Sequence, residues 1–272
     1  MAVKKVRTLK QAQNAAREGR IDEALPVFES QLAKGKVPAC VALAQISAFR
    51  GEWEKVLQYA ALLLENPGEI PLLNSWEEMI ALLVLAAKKI DDWPRISKKM
   101  KEIRSRFEEN TTGDNWFITR CRKEYDEITV WTQREGVPQE SNKKRTPFTP
   151  AENQLAGFEK LKADLGELDT VGKKWTLLNR AVLIGFDQEA IKLYEKSPGI
   201  ADFDSAFFVS TAYGRAGKPE KARDLLRNKI QRWFTPDISL IMPPKILTHP
   251  DLAGVLTPEQ CEEALRMPKC LE

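Results

Sequence analysis

At 272 residues, 43% of them hydrophobic, the chain has enough apolar surface for a substantial core and is not disordered as a whole. Lys and Arg total 42 against 39 Asp and Glu, so the net charge of +3 demands no anionic partner, and any case for nucleic acid must rest on a local cluster. Cys40, Cys121, Cys261 and Cys270 are scattered without a Cys-x-x-Cys pair, in a chain far longer than disulfide-dependent scaffolds, and read as reduced thiols.

No apolar stretch follows the charged start, so no secretory signal is visible. The longest apolar run, around Ile80 to Ala87, is far short of the roughly 20 residues that span a bilayer. A cytoplasmic protein without membrane insertion is expected.

In chain order, Val6 to Glu18 and Ile21 to Lys34 are predicted as a first helix pair, with Ile21, Leu25, Phe28 and Leu32 on one stripe of helical period. Val37 to Arg50 and Trp53 to Leu64 follow as a second, stopped at Asn66-Pro67-Gly68. The next helix, from about Leu72 to Lys89, is apolar on nearly all sides between Leu82 and Ala87, which predicts burial on both flanks. Asp92 as N-cap and Pro94 in the first turn open its partner, whose inward stripe is Ile96, Met100, Ile103 and Phe107.

A helix from Asp114 to Arg134 and another from Ala151 to Leu165 read as a fourth pair around an enlarged loop; the alternative is that the loop divides two lobes. Val171 to Ile184 with Asp187 to Lys196, and Phe203 to Ala216 with Pro219 to Trp233, complete the series. Beyond Phe234, Pro236, Pro243, Pro244 and Pro250 forbid long regular structure, and one short helix after Thr257 is expected. No run of alternating β-branched residues bounded by turns occurs, so no strands are expected. The division read from this pattern is 1–136 helical repeats, 137–150 a basic Pro-containing loop, 151–234 further helical repeats, and 235–272 an irregular segment covering the last apolar face.

One phrase recurs at the corners. Gly185-Phe186-Asp187-Gln188-Glu189-Ala190 has counterparts at Gly19 to Ala24 and Gly217 to Ala222, and a looser copy at Gly51 to Val56. Glycine ends one helix, acidic residues open the next, and a small residue sits where two helix axes approach. Gly19 to Gly51 and Gly185 to Gly217 are each 32 residues apart, near the roughly 34-residue tetratricopeptide period.

On these residues, together with Phe28, Pro67, Tyr194 and Pro198, the chain resembles the tetratricopeptide repeat family, in degenerate form. The resemblance implies an all-α, right-handed superhelix of stacked hairpins whose concave groove, lined by the first helix of each pair, binds a peptide or protein segment. It implies no enzymatic activity and no cofactor. Overlaying the corners turns Gln13 and Arg17, Gln45 and Phe49, Trp175 and Asn179, and Phe207, Thr211 and Arg215 toward that groove. Trp175 and Phe207, 32 residues apart, would share one face. The family's carboxylate-holding set is not matched, since Leu9, Gln13 and Ala42 stand in its places.

Chemistry is otherwise sparse. His249, the only histidine, lies before Pro250 in a turn, and no zinc spacing or Gly-rich phosphate loop occurs, so neither metal nor nucleotide is expected. Adjacent carboxylates such as Asp22-Glu23 point about 100° apart on a helix and suit its positive end. A second reading is a nucleic-acid-associated factor using Lys98, Lys99, Lys101 and Arg104 on one helix and Lys143, Lys144 and Arg145 in the loop. No aromatic residues interleave these charges as a stacking platform requires.

Overall fold

The four corner glycines all adopt the left-handed backbone that favours glycine, with φ +80° at Gly19, +70° at Gly51, +75° at Gly185 and +70° at Gly217. Each closes its helix in the same way. The glycine N–H bonds three residues back and the next N–H five back, as in Gly19 N to Ala16 O at 3.0 Å and Arg20 N to Ala15 O at 2.8 Å. This double closure satisfies the final carbonyls and redirects the chain into the following helix. Gly19 is constrained twice, because a Cβ there would run into the Arg266 carbonyl.

The computed structural model describes residues 6–66, 73–90, 92–110, 149–196 and 202–269, which contain helices and irregular segments and no strand. The helices are α1 (Leu9–Arg17), α2 (Ile21–Ala33), α3 (Ala39–Phe49), α4 (Trp53–Leu64), α5 (Leu73–Lys89), α6 (Trp93–Asn110), α7 (Glu152–Leu165), α8 (Val171–Leu183), α9 (Asp187–Glu195), α10 (Phe203–Arg215), α11 (Pro219–Lys229), α12 (Lys245–Thr248) and α13 (Pro258–Arg266). Short 3-10 turns lie at Ile230–Arg232 and Pro250–Leu252. The helix expected over 114–134 and the loop residues Lys143, Lys144 and Arg145 fall outside the described residues.

The chain divides into two units. Met1–Glu140, Thr235–Thr248 and Pro258–Pro268 make the first; Ser141–Phe234, His249–Thr257 and Lys269–Glu272 make the second. The segment after Phe234 is divided between them, Thr235–Thr248 and Pro258–Pro268 lying with the first and His249–Thr257 with the second.

In the first unit α1 packs on α2, α2 on α3, α3 on α4, and α4 on α5 and α6, while α12 lies against α5 and α13 against α3. Every residue of α3 is buried. Between Ala39 and Phe49 no charged residue occurs, so this helix has no solvated side to present. Ile96, Met100 and Ile103 form the expected inward stripe of α6 at no more than 1% exposure, and Asp92 Oδ1 accepts from Arg95 N at 3.4 Å at its start. Leu82, Leu83, Ala86 and Ala87 of α5 are likewise buried, as the all-round apolar pattern predicts.

In the second unit α7 packs on α8, α8 on α9 and α10, α9 on α10, and α10 on α11 and on the turn Pro250–Leu252. The corner alanines Ala24 of the first unit and Ala190 and Ala222 of the second are all fully buried, which is what a close helix crossing requires. Helix α7 starts at Glu152 with the Gln154 side chain accepting from Ala151 N at 2.9 Å.

Candidate functional site

Three successive first helices of the first unit, α1, α3 and α5, each contribute one polar side chain to the same irregular stretch, residues 235–242. From α1, Arg17 donates through Nη2 to the carbonyls of Thr235 at 3.3 Å, Asp237 at 2.5 Å and Leu240 at 3.0 Å, and through Nε to Leu240 at 3.1 Å. From α3, Gln45 Oε1 accepts from Ile241 N at 2.8 Å and Met242 N at 3.0 Å. From α5, Ser75 Oγ donates to Asp237 Oδ2 at 2.5 Å and lies 2.6 Å from Ser239 Oγ. A guanidinium supplies several donors to carbonyls and a glutamine oxygen accepts from two N–H groups, so Arg17 and Gln45 read main chain rather than side chains.

The stretch turns between Asp237 and Leu240, where Leu240 N donates to the Asp237 carbonyl at 3.2 Å and Asp237 Oδ1 accepts from Ser239 N at 3.0 Å. Leu240, Ile241 and Met242 are at most 3% exposed, and Asp237 is 2% exposed, whereas Ile238 points outward at 42%. Behind the stretch, α13 is clamped to the same unit. Arg50 Nε and Nη2 meet Glu262 at 2.9 and 3.1 Å, and Arg266 Nη1 meets Asp22 at 2.5 Å. Hydrogen bonding from Arg50 holds Glu262 below its ordinary value, against a smaller upward push from burial.

In the second unit the turn Pro250–Leu252 packs on α10. Phe207, 6% exposed, meets the His249 ring edge-on at 5.5 Å. Arg215 Nη2 donates to Asp187 Oδ1 at 2.7 Å and to the Val182 carbonyl at 2.9 Å, and Nη1 to Asp251 Oδ2 at 3.0 Å. Burial works against the charge on Arg215, yet Asp187 and Asp251 together hold its pKa above the ordinary arginine value. Gly214 is needed here because a Cβ would collide with the Asp251 carbonyl. Thr211 is buried, its hydroxyl donating to the Phe208 carbonyl at 2.7 Å.

The groove residues expected from the aligned corners therefore separate into three situations. Gln45 lies under residues 241–242, and Phe49 is core at 1% exposure. Phe207, Thr211 and Arg215 are engaged inside the second unit. Trp175 and Asn179 remain half-exposed on α8, one turn apart; Trp175 meets Phe208 edge-on at 5.9 Å rather than stacking with Phe207, and the buried Oδ1 of Asn179 has no partner among the described residues.

On the basic helix α6, Arg95 is paired with Glu54 and Asp92, Lys99 with Glu65 at 3.0 Å, and Arg106 with Glu65 at 2.8 Å. Lys98 and Lys101 are exposed and make no ion pair among the described residues. A cleft of about 490 Å3 between α4 and α6 is lined by Leu57, Ala61 and Leu62 with those ion-paired groups. Among the described residues no group of three or more His, Cys, Asp or Glu side chains is arranged to hold a metal ion, and no helix is long and apolar enough to cross a membrane.

Overlaying the corners turns Arg17 and Gln45 toward a groove but does not find residues 235–242 as what lies against them. The available signal was the five consecutive apolar residues from Leu240 to Pro244 in a segment without helical period, which have to be buried against something. No family model, no curated protein and no solved structure matches this chain.

Proposed function

We propose that the chain is a non-catalytic protein-binding scaffold, a degenerate tetratricopeptide-like superhelix of stacked helix pairs whose first-helix faces bind a peptide or protein segment. The observation that carries this reading is the convergence of Arg17, Gln45 and Ser75, one from each of three successive first helices, on a single irregular stretch. Arg17 and Gln45 hold its main chain and Ser75 its Asp237 and Ser239 side chains, the mix of contacts by which a groove holds a bound segment. On the second unit, the half-exposed Trp175 with Asn179 beside it is the surface left for a partner. An aromatic ring beside a polar group is the combination that concentrates binding energy in interfaces.

The nucleic-acid reading is weaker, because Arg95, Lys99 and Arg106 are neutralised by acids of α4 and by Asp92. Selection of short unstructured peptides on the full chain tests the proposal. Peptides whose affinity falls about tenfold or more in Trp175→Ala, with helical circular dichroism unchanged, support it. Absence of any selected peptide, together with salt-sensitive oligonucleotide retention that disappears when Lys98 and Lys101 are reversed in charge, would replace it with the alternative.

A further inference from the structure

The binding face of the first unit is filled by the protein's own chain. We propose that residues 235–242 are a resident, displaceable ligand: an arm that keeps this face closed until a segment of a partner protein with the same turn takes its place. The inference rests on the scaffold reading above and adds to it both a regulatory step and the chemistry of the partner segment.

Three features support displacement. First, the polar contacts from Arg17 and Gln45 go to three carbonyls and two N–H groups of the arm, so an incoming segment that forms the same turn reproduces them. Second, the arm's internal structure is one local turn, Leu240 N to Asp237 O at 3.2 Å supported by the Thr235, Asp237 and Ser239 side chains, which a partner segment of the same pattern forms for itself. Third, the chain entering the arm, through Phe234, belongs to the other unit, and Phe234 itself is 70% exposed.

The side chains define what the partner segment has to carry. Asp237 reaches Ser75, and Ser239 closes the turn, so an acidic residue with a hydroxyl residue two positions later is one requirement. Leu240, Ile241 and Met242, at most 3% exposed, require three consecutive apolar residues after it. The partner is thus an unstructured acidic-hydroxyl-apolar segment, and its apparent affinity is reduced by the fraction of molecules in which the arm is closed.

The test uses the full chain and, as probe, a fluorescent synthetic peptide with the sequence of residues 235–248. In one variant the arm is expelled by Ile241→Asp with Met242→Asp. In a second, Ser75→Cys with Ser239→Cys locks it by a disulfide, the two hydroxyl oxygens being 2.6 Å apart. The expelled variant should bind the probe about tenfold or more tightly than wild type. The locked protein should bind none when oxidised and recover binding when reduced.

The proposal is overturned if the expelled variant keeps its helical circular dichroism yet binds the probe no better than wild type. It is equally overturned if the disulfide pair binds alike in both redox states or binds nothing in either. Should the expelled variant lose its helices, the comparison of oxidised and reduced disulfide pair decides. Trp175-dependent peptides with no probe binding would leave the scaffold reading standing and make the arm a fixed part of the first unit.

Discussion

Replacing Gln45 by Met isolates the hydrogen bonds that tie α3 to the arm, since the substitution nearly keeps side-chain length and volume while removing the amide. Gln45 is fully buried, and the residues whose N–H groups it accepts, Ile241 and Met242, are fully buried too. Each buried donor left without an acceptor costs about 1–3 kcal/mol, so two cost about 2–6 kcal/mol. Gln45 Nε2 has no partner among the described residues, and its removal offsets roughly 1–3 kcal/mol of that. At the same cost per group the net expected loss is about 1–3 kcal/mol, large against a total stability on the order of 5–15 kcal/mol. Urea unfolding followed by circular dichroism should show a lower midpoint with an unchanged slope. Gln58→Met, at an exposed position of α4, should stay within about 0.5 kcal/mol of wild type. A Gln45→Met protein as stable as that control would refute the role given to the amide.

Ala190→Trp forces a large ring into a fully buried helix crossing and should cost about 1–3 kcal/mol, read as a lower melting midpoint; an unchanged midpoint would mean the crossing is not tight. Glu262, held below its ordinary value of 4.5 chiefly by Arg50, has a weaker proton affinity folded than unfolded. Its contribution is therefore present above 4.5 and lost as the pH falls through the lowered folded-state value. Glu262→Gln should be less stable than wild type at neutral pH and converge with it in acid, and a gap independent of pH would count against the ion pair. Burial pushes the Cys40 thiol up to about 12 and, with Glu259 adding to burial, the Cys261 thiol up to about 11. Neither should be alkylated by iodoacetamide in the folded protein, as peptide mapping by mass spectrometry would show; rapid native labelling of either would contradict their burial.

The features that were legible from residue order are local ones. A glycine before an acidic first turn closes a helix by contacts within six residues, so the corners at Gly19, Gly51, Gly185 and Gly217 appear in the structure as expected. The buried Ala24, Ala190 and Ala222 follow from the same phrase. The arm was not legible, because its contacts join residues more than 160 positions apart and because its burial inverts the usual pattern. Thr235 and Asp237 face inward while Pro236 and Ile238 face out. Polar groups are tolerated inside there because Arg17, Ser75 and the local turn satisfy them. Hydrophobic alternation alone would have assigned the opposite face. The absence of charge from Ala39 to Phe49 was the clearest overlooked sign that α3 borders no open groove. Trp175 meeting Phe208 instead of Phe207 shows the limit of aligning corners: on a helix, a shift of one residue turns a side chain by about 100°.

Residue-resolved amide hydrogen exchange at Ile241 and Met242 tests the central claim most directly, because both N–H groups donate to the same buried Gln45 oxygen and to no helix of their own. With the arm seated on the first-helix face, these two amides should be protected by orders of magnitude, comparably with the interior of α3, and should lose that protection together in Gln45→Met. Exchange at the rate of an unstructured chain in the wild-type protein would contradict the account, since an arm that does not rest on Arg17, Gln45 and Ser75 gives no reason to assign that face to a bound polypeptide segment.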